Sequence, residues 1–187
     1  MKNTDTRVQY TKARFHEAML EMLEQKPIGS VTVKALCDAA GLNRGTFYLH
    51  YAEPIDVLHE MEWALYERVL QYAFRPGEGD GLLESFARQL AALEQERRLC
   101  AAVIGHNGDP LFMPAVSERT YAMLRETLLQ TDPACSEDET RMRFLFLFSG
   151  VTGVITAWLH GDTQLSDAEL ANMLVQMCTG LWETNKA

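Results

Sequence analysis

Apolar residues recur at helical spacing along most of this chain, and no stretch shows the sustained two-residue alternation that a half-buried strand leaves. The expected class is all-α. Phe15, Ala18, Met19, Met22 and Leu23 fall at i, i+3, i+4, i+7 and i+8, which gives one apolar face to a helix over about 9–25. Pro27 and Gly29 stop it. Ser30 or Thr32 can cap a second helix to about Asp38, with Val33, Leu36 and Cys37 on one side, and Gly41 ends it. Asn43 can cap a third, from Arg44 to about Tyr51. Pro54, suited to a first turn, opens a fourth to about residue 73 that turns Leu58, Met61, Leu65 and Val69 inward.

The stretch "RPGEGDG", residues 75–81, is the clearest break in the chain. Beyond it the pattern predicts helices over 82–97, about 99–105 and 111–130, with "GHNGDP" (105–110) as the turn between the last two. Ser136 with Glu139 and Ser166 with Glu169 form two capping boxes that start a final pair of helices. "FLFLFSGVTGVITAWL", residues 144–159, carries no charge, but its 16 residues fall short of the roughly 20 that cross a bilayer, so it predicts a buried helix and no membrane partner.

Composition narrows the class. Hydrophobic residues at 47% and charged residues at 23% suit a folded protein. Cys37, Cys100, Cys135 and Cys178 are far apart and form no C-x-x-C pair, so they read as reduced, mostly buried thiols. The first twenty residues hold no apolar export segment, and a cytoplasmic location is expected. The net charge is −9, unevenly spread: residues 1–50 hold seven Lys and Arg against five Asp and Glu, a surplus of +2, which leaves −11 for the remainder. A slightly basic front joined to an acidic back hints at a polyanion-facing front.

Within that front, "GLNRGTFYLHY" (41–51) has no carboxylate. At 100° per residue from Arg44, Phe47 and Tyr51 fall on one side and point inward. Gly45, Thr46 and Leu49 point outward, flanked by Arg44 with Tyr48 and by His50. That set suits a major groove: Arg reaches guanine O6 and N7, Thr or Leu methyls meet a thymine methyl, and Tyr and His donate to phosphate. Gly45 removes the side chain that would hold the helix off the bases. The alternative is an ordinary polar surface helix. Short helix, "AAG", turn and polar-faced helix together spell a helix-turn-helix.

"SVTVKALCDAAGLNRGTFYLHY" resembles the DNA-binding module of TetR-type transcriptional regulators, matching at Val31, Thr32, Leu36, Ala40, Gly41, Leu42, Gly45, Thr46, Phe47, Tyr48, His50 and Tyr51. "KPIGSVTVKALCDAAGLNRGTFYLHYAEPIDVLHEM", "IGHNGDP" and "SGVTGVITAWLHGDTQLSDAELANML" further resemble the branch related to dihydroxyacetone-kinase regulators. The resemblance implies a three-helix head over residues 1–52 on a C-terminal helical bundle, 53–187, that dimerises and binds a small-molecule effector. Double-stranded DNA would be contacted by Thr32, Val33, Lys34, Asn43, Arg44, Gly45, Thr46, Tyr48, Leu49 and His50. Many relatives carry a phosphate-binding Lys where Pro54 stands here, so that contact is expected to be lost. Lys2, Arg7, Lys12 and Arg14 could replace it, or form a solvated basic tail.

For the back half, the resemblance implies a homodimer built on the last two helices through Gly150, Gly153, Ala157, Met173 and Met177. Small residues at three- and four-residue spacing permit that close approach, or else accommodate bulky neighbours within one chain. Trp63, Tyr66, Phe86, His106, Asn107, Met113, Tyr121 and Phe146 are the candidate effector pocket, against plain core packing; "HNGDP" could equally be a turn whose Asp109 caps the next helix. No cofactor is expected, and no metal: "HEME" at 59–62 lacks the second His of H-E-x-x-H, and no phosphate loop or nucleophile motif points to an enzyme. The expected role is a palindrome-reading regulator, most simply a repressor relieved by its effector. The alternative is a coactivator or helical interaction module acting through a partner protein.

Overall fold

The computed structural model describes residues 2–70 and 81–183, and side chains over 6–68 and 81–180. The described residues form helices and no strand. Residues 75–80 of the break expected at 75–81, the end of the fourth helix at about 73, and the side chains of Lys2 and Val69 lie outside these ranges.

The chain divides into two units, Met1–Leu65 with Arg98–Pro110, and Tyr66–Arg97 with Leu111–Ala187. In the first, α1 (Lys2–Leu23) packs on α2 (Val33–Ala40) and α4 (Pro54–Leu65), while α2 packs on α3 (Arg44–Tyr48). Phe15, Ala18, Met19 and Leu23 line the buried face of α1, as their spacing requires. Thr32 caps α2, its hydroxyl accepting from the Ala35 N–H at 3.2 Å; Ser30 sits in a 3-10 turn, Ile28–Ser30. Gly41 ends α2 in the left-handed region at φ 67°, where a side chain would strain the backbone. Leu36 and Phe47 are wholly buried, and the Phe15 and Phe47 rings meet edge to face at 5.4 Å.

The third helix is shorter than its periodicity suggests. It ends at Tyr48, and the N–H groups of His50 and Tyr51 both donate to the single Phe47 carbonyl, at 2.9 and 3.0 Å. The chain thus turns without a second helical turn, and Tyr51 still reaches the core. From α4 the chain continues through one wider π-type turn, Tyr66–Leu70.

In the second unit α5 (Leu82–Gln95) packs on α9 (Asp167–Glu183), and α7 (Phe112–Thr131) on α8 (Glu137–His160). Between them in sequence, α6 (Arg97–Ile104) starts in the second unit and crosses into the first. Both capping boxes form: Ser136 Oγ accepts from the Glu139 N–H while the Glu139 carboxylate accepts from the Ser136 N–H, and Ser166 and Glu169 repeat the exchange. Arg97 donates to the Trp158 and Leu159 carbonyls at 3.1 and 2.7 Å and lies over the Trp158 ring, so it caps the C-terminal end of α8.

Two expectations are corrected. Asp109 does not cap α7, which starts at Phe112 with no side-chain cap; its carboxylate faces α4 instead, 3.1 Å from His59 Nε2. Helix α8 is not a buried helix. By length and composition its 24 residues suffice to cross a membrane, yet only 22% of its most apolar stretch is buried, and Phe146 is 66% exposed. The uncharged run 144–159 records that this part of α8 favours an apolar cover, not which surface provides it.

Candidate nucleic-acid interface

Asn43 creates the start of α3. Its side-chain oxygen accepts from the Thr46 N–H at 2.8 Å and from the Thr46 hydroxyl at 3.2 Å, so the first turn is closed by a residue outside it. With the cap set, Phe47 points inward and Arg44, Gly45, Tyr48 and Leu49 are exposed; Leu49 is 78% so. Thr46 and His50 are half-buried at the edges of this face.

Lys34 is exposed on α2, beside exposed Thr32 and half-buried Val33. Neither Lys34 nor Arg44 has an ion-pair partner among the described residues. Their charges are therefore available to an external anion. Gly45 has a second use besides slimness: a Cβ there would sit 3.2 Å from the Asn43 side-chain oxygen that caps the helix.

The remaining basic residues of α1 are partly spent within the unit. Lys12 pairs with Glu60 at 2.8 Å, and Arg14 donates to the Ala40 carbonyl at 3.0 Å, supporting the end of α2. Burial alone would raise the Glu60 carboxyl, but the Lys12 hydrogen bond and charge, the Tyr51 hydroxyl and His16 together hold it below its ordinary range. Burial and Glu60 push the Tyr51 phenol well up. At Pro54, the site of the missing Lys, the Asp56 carboxylate accepts from the Ala52 and Glu53 N–H groups at 2.9 and 2.8 Å and secures the start of α4.

The other candidate residues separate. Trp63, His106 and Asn107 belong to the first unit, where the Asn107 side chain donates to the Leu23 carbonyl at 2.7 Å and its own carbonyl accepts from the Ile28 N–H at 2.8 Å. Tyr66, Phe86 and Tyr121 are buried in the second, with Met113 half-buried; Arg119 lies over the Tyr66 ring at 4.9 Å. Phe146 stands on the exposed side of α8 in a row with Met142, Ser149, Gly150 and Gly153, which Ala157 continues half-buried; on α9, exposed Met177 and half-buried Met173 form a similar row.

Composition did not flag a cluster of buried hydroxyls in the second unit. Ser117, Thr120 and Tyr121, at i, i+3 and i+4 on α7, and Thr140 on α8 each bury a hydroxyl with no hydrogen-bond partner among the described residues. Tyr121 packs against Phe144, one turn beyond Thr140, at 5.2 Å. Each orphaned hydroxyl costs about 1–3 kcal/mol. Nothing in the periodicity distinguishes these from satisfied threonines.

A short capped helix with unpaired basic and apolar side chains facing outward, set behind a longer supporting helix, defines a helix-turn-helix protein. The sequence matches the family described as bacterial regulatory proteins, tetR family, over residues 17–53, and a transcriptional regulator C-terminal region over 80–180. The chain belongs to the TetR family of transcriptional regulators. Proteins of this family bind DNA, act as dimers and answer to small-molecule effectors, and as a rule they are not enzymes. No curated protein matches the chain significantly.

Solved structures of similar fold include a TetR transcriptional regulator from Streptococcus agalactiae (22% identity, 95% of this chain and 98% of that one, TM-score 0.69). The fatty acid degradation regulator FadR from Bacillus halodurans is similar too (16%, 94% and 96%, 0.64). So is NalD, the secondary repressor of the MexAB-OprM multidrug efflux pump in Pseudomonas aeruginosa (18%, 92% and 96%, 0.59). At these identities the likeness establishes the fold.

Proposed function

We propose that the chain is a cytoplasmic homodimeric repressor, not an enzyme, that reads a palindromic operator with α3 and is released by a small molecule bound in its C-terminal part. The observation that carries the reading is the face of α3: Arg44, Gly45, Tyr48 and Leu49 exposed, Lys34 alongside, and neither Lys34 nor Arg44 bound by a partner among the described residues. Arg44, Gly45, Thr46 and Leu49 would meet base edges; Thr32, Val33, Lys34, Tyr48 and His50 would meet or approach the backbone. Asn43 acts by holding the first turn in place. Residues 1–52 form the reading head, and 53–187 carry dimerisation and effector binding.

The outward row of Met142, Phe146, Gly150, Gly153 and Ala157 on α8, with Met173 and Met177 on α9, supports pairing with a second copy. A Cβ at Gly150 or Gly153 would meet nothing within 4 Å, so these positions leave room for another backbone. Such a cover explains α8 better than a membrane does, because Arg141 and Arg143 in its second turn are ion-paired to Glu118 and Asp132. A dimer of this kind places two α3 helices for successive major grooves about 34–36 Å apart. The orphaned hydroxyls of Ser117, Thr120, Tyr121 and Thr140 support an effector with hydrogen-bonding groups. The motif likeness to dihydroxyacetone-kinase regulators makes that branch the proposed one.

Selection of bound duplexes from a random library, followed by titration of the enriched site at two salt concentrations, tests the reading. An enriched palindrome with a steep salt slope is expected. No enrichment and flat, weak binding would refute operator reading and favour a coactivator working through a partner protein.

A further inference from the structure

Helix α4 carries His59 and Glu62 one turn apart, on the same side. The 105–110 turn brings Asp109 against them from 47 residues beyond Glu62. One ligand atom from each of the three lies within 4.8 Å of the others, and His59 Nε2 is 3.1 Å from Asp109 Oδ2. Glu62 is 1% exposed; the Asp109 backbone N–H donates to its carboxylate, yet Oε1 is buried without a partner. A buried carboxylate oxygen left unpaired beside a second carboxylate is costly unless something positive arrives. Burial first, and the Asp109 charge second, push the Glu62 carboxyl up to about 8.

We infer that His59, Glu62 and Asp109 form a binding site for a first-row divalent transition-metal ion. The ion would sit beside the unpartnered Glu62 oxygen and offset the charges of two carboxylates. Its class follows from the donors: one imidazole nitrogen with two carboxylates suits zinc, cobalt, nickel, iron or manganese, whereas calcium asks for six to eight oxygens and thiolate-seeking ions for cysteine. Bonds of about 2.0–2.2 Å hold neighbouring ligands about 3–3.6 Å apart, so the three side chains close on the ion by small rotations. The His59 side chain is 45% exposed and Asp109 13%, which leaves an entry on the His59 side and water for the open coordination positions. The Asp109 N–H on Glu62 orients that ligand.

The site also has a mechanical connection within its own unit. Asn107, two residues before Asp109, is bonded to the Leu23 carbonyl at the end of α1 and to the Ile28 N–H. Drawing Asp109 onto α4 therefore pulls on the turn that holds the end of α1. Resting on the regulatory reading above, the ion would change operator affinity through this turn.

Titration of chelator-treated full-length protein with cobalt(II), followed by visible absorption, tests the site without DNA. Saturation at one ion per chain, reversed by zinc(II), is expected, with affinity at least about tenfold weaker in H59A, E62Q and D109N. His59 is half-exposed and Gln matches Glu62 in size, so H59A and E62Q should keep the fold, which far-UV circular dichroism checks. No saturable cobalt band in folded wild-type protein, or undiminished binding in H59A and E62Q, would overturn the site. Operator titration with and without cobalt separates the two ideas: intact cobalt binding without operator binding defeats the DNA reading alone, and equal operator affinity in both buffers defeats only the coupling.

Discussion

At Gly108 a single methyl group tests the packing of the 105–110 turn. A Cβ there would lie 3.1 Å from the Ala102 carbonyl oxygen and the Val103 carbonyl carbon, and closer still to the Val103 oxygen. Non-bonded carbon prefers about 3.5–4.0 Å. All three neighbours are backbone atoms at the C-terminal end of α6, so no side-chain rotation relieves the clash. The helix end or the turn must move by about 0.5 Å or more.

Overpacking costs about 1–3 kcal/mol where neighbours can yield. Against backbone, G108A is expected near or above the top of that range, about 3 kcal/mol. Gly108 has no positive φ, so the cost is steric alone. G29A is the control: nothing lies within 4 Å, and Ala there should change stability by less than about 1 kcal/mol, in the stabilising direction. In a unit of this size 1 kcal/mol corresponds to about 4–8 °C, so G108A should lower the midpoint of the first unit by roughly 12–24 °C. Thermal and urea unfolding by circular dichroism, with Trp63 emission as a first-unit probe, measures it. A G108A protein within about 0.5 kcal/mol of wild type would refute the close approach of this turn to α6.

Further expectations follow from single contacts. N43A should cost about 0.5–2 kcal/mol, because Asn43 closes α3, while N43D should not; equal stability of all three proteins would mean the cap is idle. R44A should leave stability unchanged but lose about 1–3 kcal/mol on the enriched operator and relax its base preference; equal losses on scrambled duplex would contradict base reading. G153L places a large side chain on open surface, so it should fold and run as a monomer in light scattering, and a surviving dimer would move the interface elsewhere. Glu60 is held below its unfolded value of about 4.3, so its pairing stabilises the protein above that pH and the contribution is lost as acid protonates it. E60Q should therefore be less stable at neutral pH with a shallower acid limb, and parallel acid limbs would contradict the pairing.

The helix-turn-helix is legible in the sequence because its determinants are local. Thr32 and Asn43 act on N–H groups three residues away, Gly41 acts on its own φ, and the inward turn of Phe47 and Tyr51 follows from 100° per residue. The same wheel missed the end of α3, since nothing in "FYLHY" records that two N–H groups will share the Phe47 carbonyl. Nor could composition state what covers α8. Its apolar run is the same whether it meets its own chain or a second one.

Where partners lie far apart in sequence, the local signal points the wrong way. Asp109 before Pro110 reads as a helix cap, and "HEME" reads as a broken H-E-x-x-H; the fold takes Asp109 from the first and His59 and Glu62 from the second and sets them together. An H-E-x-x-H motif lies on one helix, whereas here the third residue of the group comes from a turn. Asn107 is a second case, since its contacts tie that turn to the end of α1. The outward face of α3 is built from one short helix and its cap. A site that joins two distant segments carries a shared periodicity only within each of them: His59 and Glu62 recur one turn apart on α4, and nothing in that spacing points to Asp109.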